Sequence, residues 1–473
     1  MNQVQEILKH PQGAAFLKCS RERGCSEEIA GECARYGSAS GDPMQKPCTI
    51  VPKYRVRCLG GGEYVEDLSL LNCNQGHDAL IRTEYSRRKL VLSPYCGIFR
   101  YLCWLPVERP LLPSGGPVTF RSAALSQELG LPNLLVSFSG YFPERGADLS
   151  TGSFKELEAL PTLQRLKETG GNIPVVASAG NTGRAFAEIA TRCRMPVIIV
   201  VPEHMKQVIW TTQESEDVYL VAVRGDYSDA IAVSGTLSSV PGCVAEGGAK
   251  NIARRDAMGT VMLDAAVTVG RMPEYYFQAV GSGTGGIAAW EAALRLKKDG
   301  GYGQQLPHLH LAQNEPFTPM VSAWRDHRRG IIPAVDMPDA RRSVSEVLSP
   351  VLTNRNPPYS IRGGLYDALV DTDGAMYRVS NAEGQAALKL VRDAEGIDLD
   401  PAAAIATAAL MQARDQGIIP ADAHILLNLT GGGYERIRED FELHPIEPAF
   451  ILGPDEPREG LVAHLKEWIV KHG

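Results

Sequence analysis

From about Phe99 onward, short apolar runs alternate with helical patterns, and several runs end in clusters of Gly, Ser, Thr and Asn. The runs are Leu134–Phe138, Pro174–Ala177, Val197–Val201, Val218–Val223, Tyr275–Val280, Leu309–Ala312 and His424–Leu429. Continuous apolar runs of this length, rich in Val, Ile and Leu, predict strands buried on both faces. Their alternation with helices predicts an open α/β fold with a mainly parallel sheet. In such sheets ligands bind beyond the carboxyl ends of the strands. The glycine-rich ends of these runs are therefore the places to look for chemistry.

Glycine is in excess, 47 of 473 residues, or about 10% against about 7% in an average chain. Lys and Arg number 48 against 55 Asp and Glu, a net charge of −7, and no basic block interrupts the mixture. That balance excludes a dedicated nucleic-acid or anionic-membrane binder. No apolar stretch approaches the roughly 20 residues that span a bilayer, and the first residues lack a signal-peptide core. A cytoplasmic protein is expected. Of the ten cysteines, eight lie in the first 103 residues. Without a secretory signal they are not expected to form a disulfide framework. A zinc ribbon needs paired C-x-x-C knuckles, whereas Cys58-Leu-Gly-Gly and Cys73-Asn-Gln-Gly have one Cys each. The spacing thus predicts reduced structural thiols and no bound metal. Residues 1–53 read as an appended arm and 54–92 as a small β-rich cap.

Four loops could carry chemistry. In Thr151-Gly-Ser-Phe-Lys155-Glu156 the Ser153/Glu156 spacing predicts a capping box and a helix starting at Ser153. Lys155 then sits in the first turn, where the helix dipole favours its neutral amine, the form a Schiff-base lysine needs. Ser178-Ala-Gly180-Asn181-Thr182-Gly183 follows a strand and opens a helix, which puts N–H groups and short polar side chains at a strand's end. Gly281-Ser282-Gly283-Thr284-Gly285-Gly286 does the same after Tyr275–Val280. It suits a phosphate, because glycines let the backbone approach and a helix start offers unpaired donors. It also satisfies G-x-G-x-x-G, yet the acidic residue expected about 20 positions on has only the distant Glu315 as a candidate. Last, His424–Leu429 runs into Thr430-Gly-Gly-Gly433.

Taken in order, these loops resemble the fold-type II pyridoxal-phosphate enzymes, and among them threonine synthase. The fuller strings R-G-A-D-L-S-T-G-S-F-K-E-L-E-A around Lys155, E-G-G-A-K-N-I-A-R-R-D-A-M-G-T from Glu246 and Q-A-V-G-S-G-T-G-G from Gln278 are similar to the cysteate synthases of methanogenic archaea. The likeness spans roughly residues 54–440. It departs from threonine synthases at Gly259, where a Lys is usual, and at E-L-E-A after Lys155, where D-R-G is usual.

The resemblance implies a tryptophan synthase β-like fold of two open, mainly parallel lobes. The large lobe would be 93–160 and 270–473, the small one 161–269, with the site between them. It implies pyridoxal phosphate linked to Lys155, with Asn181 beside its phenolic oxygen, Gly281, Ser282, Gly283, Thr284 and Gly285 around its phosphate, and Thr430 near its ring nitrogen. Ser178, Thr182, Arg254 and, as second choice, Arg255 would contact substrate, since a guanidinium fork matches phosphate or sulfite. The implied activity is β-replacement on O-phosphoserine by sulfite, within coenzyme M biosynthesis, by a homo-oligomer. Threonine synthase or a related phospho-amino-acid lyase, a non-catalytic ligand binder on the same fold, and a dinucleotide-dependent oxidoreductase remain as alternatives.

Overall fold

The computed structural model describes residues 52–67 and 71–472; the expected arm, 1–53, lies outside them except for its last two residues. Each of the seven apolar runs forms a strand, within a residue or two of its expected ends. Two sheets result. The larger has the order Ala375–Val379, His308–Asn314, Tyr275–Ala279, Ile425–Leu429, Leu134–Phe138 and Val118–Arg121. All neighbours are parallel except the last pair. Strands Leu134–Phe138 and Ile425–Leu429 are buried along their whole length, as interior parallel strands covered on both faces must be. Val118–Arg121 sits at the edge and is only partly buried. Helix Pro401–Asp415, with Ala402, Ala403, Ala404, Ala406, Ala408 and Ala409 all buried, covers one face of this sheet. Its small side chains let the helix axis come close to the strands.

The smaller sheet is wholly parallel, in the order Cys243–Ala245, Ile173–Ala177, Val197–Pro202, Val218–Val223 and Phe450–Leu452. Its last strand comes from the C-terminal region, expected in the large lobe. Val221, Ala222 and Val223 pair with Phe450, Ile451 and Leu452. Behind them Leu461 and Leu465 of helix Glu459–His472 join the core of the small sheet. Among the described residues no helix is long and apolar enough to cross a membrane.

The cap is a three-stranded antiparallel sheet of Tyr54–Cys58, Tyr64–Val65 and Ile81–Tyr85. It rests on helix Ile252–Met258: Ile252 enters its apolar core, and the Thr83 and Tyr85 hydroxyls each donate to Asp256 Oδ2 at 2.6 Å. Cys58 and Cys73, read from their spacing as separate thiols, lie together with Glu63 and His77 in one cluster of this cap.

The expected capping box does not form. The helix runs Lys155–Thr169, with Ser153 Oγ accepting from the Lys155 N–H at 3.3 Å. Glu156 turns back to the Thr151 N–H and hydroxyl, both at 3.1 Å, and faces Arg192 at 3.3 Å. A buried carboxylate takes the partner that carries a charge, and here that partner stands on the neighbouring helix Asn181–Cys193.

Candidate active site

One pocket lies where the two sheets present their strand ends. Its wall includes Lys155, Ser178, Asn181, Thr182, Arg254 and Thr430. The loop from Gly281 through Ser282, Gly283 and Thr284 to Gly285 completes it. Eleven of the twelve residues singled out in the sequence therefore meet in one cavity.

Arg255 is the exception. Its side chain is fully buried, 3.0 Å from Glu291, and its guanidinium also donates to the Ala249 and Ile81 carbonyls. Consecutive residues of a helix point about 100° apart, and Arg255 points at the cap. It is a structural tie, and the expectation that it contacts substrate is corrected.

Lys155 is the centre of the pocket's electrostatics. Its Nζ stands 3.7 Å from Glu158 Oε2 and 4.6 Å from the centre of the Phe154 ring. Burial lowers its pKa below the ordinary lysine range, and Arg254 adds to that, while Glu158 and Glu246 oppose it. Glu158 in turn is pushed up by burial and held down by Arg254 and Lys155. Arg254 binds Glu158 through Nε and Glu246 through Nη1, each at 2.9 Å. Its guanidinium reaches the pocket already balanced by two carboxylates. Glu158, Glu246 and Tyr227, which also lines the pocket, are not singled out by the sequence. The E-L-E-A departure three residues after Lys155 was the available signal, since positions i and i+3 share a helix face.

These distances fix a sign. Glu158 stabilises the Lys155 ammonium, so Glu158→Gln should lower the lysine's pKa further. In cofactor-free protein the pH midpoint for acylation of Lys155, followed by peptide mass spectrometry, should move to lower pH. An unmoved midpoint would mean that no charge sits on Glu158 beside the amine.

The Ser178 hydroxyl accepts from the Gly180 and Gly183 N–H groups at 2.9 and 2.7 Å, so it shapes the turn that opens helix Asn181–Cys193. The Asn181 amide is clamped, donating to Asp400 Oδ2 at 3.0 Å and accepting from Arg184 Nη2 at 2.9 Å. Tyr434 closes this network, donating to Asp400 at 2.8 Å and accepting from Arg184 at 3.0 Å. The amide keeps a second N–H.

Helix Thr284–Asp299 begins at Gly283, which sits at φ +82° and offers no capping side chain. A Cβ there would stand 2.8 Å from Leu365, so only glycine leaves this helix start open. An uncapped N-terminus with Ser282 and Thr284 hydroxyls beside it suits a phosphate group. With a largely buried lysine amine of lowered pKa and a neutral Thr430 hydroxyl in the same cavity, the residues present fit pyridoxal phosphate.

The comparisons with known proteins agree. The profile described as "Pyridoxal-phosphate dependent enzyme" matches residues 121–431. The chain is 63% identical over 424 residues to the cysteate synthase of Methanoregula boonei, covering 90% of this chain and 100% of that one. It is 51% identical over 413 residues to the cysteate synthase of Methanosarcina acetivorans, covering 86% and 99%. The chain belongs to the cysteate synthase family. As in other members of the wider family, pyridoxal phosphate is its cofactor. Solved structures of a fungal L-serine ammonia-lyase from Rhizomucor miehei and of diaminopropionate ammonia lyase from Escherichia coli both superpose with a TM-score of 0.51. They are 15% and 14% identical and cover 76% and 71% of this chain, and 100% and 88% of their own. At that identity they show the fold alone, which is fold-type II.

Proposed function

We propose that this cytoplasmic enzyme of the cysteate synthase family converts O-phospho-L-serine and sulfite to L-cysteate and phosphate, a step of coenzyme M biosynthesis. The observation that carries the reading is the largely buried Lys155 amine, 3.7 Å from Glu158, facing the glycine loop across one cavity. Pyridoxal phosphate, when bound, supplies the electron sink that acidifies the α-carbon of an amino acid. Lys155 Nζ takes the α-proton and later returns it, a task for an amine whose pKa is brought down toward the working pH. The N–H groups at Gly283–Gly285 would hold the cofactor phosphate, and Asn181 would donate its second N–H to the cofactor's ring oxygen. Thr430 would give the ring nitrogen a neutral partner. A hydroxyl there cannot hold a proton on that nitrogen as a carboxylate would, which favours loss of a β leaving group.

The N–H groups opening helix Asn181–Cys193, with Ser178 and Thr182, hold the substrate carboxylate at a positive helix end. Arg254 acts mainly by fixing Glu158 beside Lys155, because its charge is already matched. The β-carbon loses its bond to phosphate oxygen and gains a bond to the sulfur of sulfite. Purified protein should be yellow and bleached by borohydride. Phosphate should appear one-for-one with cysteate from O-phosphoserine only when sulfite is present. Faster phosphate release from O-phosphohomoserine, with threonine formed, would overturn the substrate assignment in favour of threonine synthase.

A further inference from the structure

The cap holds a cluster that the reaction does not use. Cys58 ends the first cap strand, Glu63 precedes the second, and Cys73 and His77 lie in the loop before the third. One ligand atom from each of the four lies within 4.8 Å of the others. His77 Nδ1 stands 3.6 Å from Cys58 Sγ, 3.5 Å from Cys73 Sγ and 3.0 Å from Glu63 Oε1. Cys73 Sγ is also 3.0 Å from Glu63 Oε1. A ring nitrogen has one lone pair or one N–H, so it cannot serve two thiols and a carboxylate at once. A cation at the centre of the four serves them all. Zinc bonds of about 2.3 Å to sulfur and about 2.0–2.1 Å to nitrogen, at tetrahedral angles, put sulfur and nitrogen about 3.6 Å apart. The two separations found here are 3.6 and 3.5 Å.

The backbone gives a second, independent sign. The Gly60 N–H donates to Cys58 Sγ at 3.3 Å, and the Gln75 N–H to Cys73 Sγ at 3.4 Å. Amides aimed at a sulfur two residues earlier stabilise its thiolate, the form that binds metal. Both turns close in the same sense, Gly62 N–H to Cys58 O at 3.0 Å and Gly76 N–H to Cys73 O at 3.1 Å. At Gly61, where a paired motif would put its second cysteine, a Cβ would fall 2.0 Å from Glu63 Oε2 and 2.5 Å from His77 Cε1. The carboxylate and the imidazole thus stand in the space a second thiol would enter.

We propose that Cys58, Cys73, His77 and Glu63 bind one zinc ion, which locks the cap onto helix Ile252–Met258. Thiolate ligands favour zinc over magnesium or calcium, and binding releases the two thiol protons. The ligands are complete without an open position, so the ion is structural. This reverses the expectation drawn from the missing cysteines.

Full-length holoenzyme grown with zinc should carry about one zinc per chain by elemental analysis, as a closed structural site requires. Cys58→Ser and Cys73→Ser should each lose it at least several-fold, while Cys243→Ser, in the small sheet, keeps it. Zinc below about one-fifth per chain after reconstitution, against the single ion such a site holds, would overturn the proposal. So would zinc retained in both cap variants, which would place it on other residues. If those variants fail to fold, cobalt substitution of the unaltered protein decides. Intense ligand-field bands of a tetrahedral site with thiolate charge transfer, changed by His77→Ala, support the site; their absence, or bands unchanged by His77→Ala, refutes it.

Discussion

Lys155→Ala should slow exchange of the α-proton of O-phosphoserine by at least about 10²–10⁴-fold, the usual loss when a positioned base is removed. Followed by proton NMR in deuterium oxide with pyridoxal phosphate present, the unaltered enzyme should wash out the α-signal while the variant retains it. Cofactor should still be held, since the open helix start at Gly283 is untouched by the change. The loss is expected to be large because Lys155 is the one amine in the pocket among the described residues, and Arg254 beside it stays protonated throughout the accessible pH range. Similar exchange rates in both proteins would remove Lys155 from the role of base and the proposed mechanism with it.

The second large effect should fall on stability rather than on chemistry. Arg255→Met removes the guanidinium that faces Glu291 at 3.0 Å and ties the Ala249 and Ile81 carbonyls. Arg82, at 2.9 Å, remains to Glu291, but it is partly exposed. Breaking one side of a buried ion pair typically costs about 3–5 kcal/mol, a large part of a total that is commonly about 5–15 kcal/mol. The thermal midpoint should fall by about 3–5 °C. At a temperature where the variant is folded, its KM for O-phosphoserine should be nearly unchanged. An unchanged midpoint with a strongly raised KM would restore Arg255 to the substrate.

Arg254 and Arg255 show why a sequence yields one kind of information and not another. Both are basic and adjacent, and both suit an oxyanion; only the direction of the helix decides that one meets the pocket and the other the cap. The strands were legible because a parallel strand covered on both faces must be apolar throughout, as Val197–Pro202 is. The glycine loops were legible because a backbone that must approach a phosphate leaves a chemical trace. Phe450–Leu452 was not, being three residues between a proline-bearing stretch and a turn, and given its place only by pairing with Val221–Val223. Glu246 was likewise hidden, because it reaches Arg254 through a turn that Asn251 holds, accepting from the Ala253 and Arg254 N–H groups at 3.0 and 3.3 Å. In the cap, cysteine spacing alone says nothing of the carboxylate and the imidazole that occupy the space beside Gly61.

The late strand of the small sheet also sets an order of events during synthesis. Val218–Val223 leaves the ribosome long before Phe450–Leu452, the neighbour it pairs with. Until then a fully apolar parallel strand has one row of unpaired N–H and C=O groups, the kind of edge on which chains associate wrongly. A nascent chain halted between these two segments therefore carries an adhesive flank. Emergence of Phe450–Leu452 from the tunnel is what seals it.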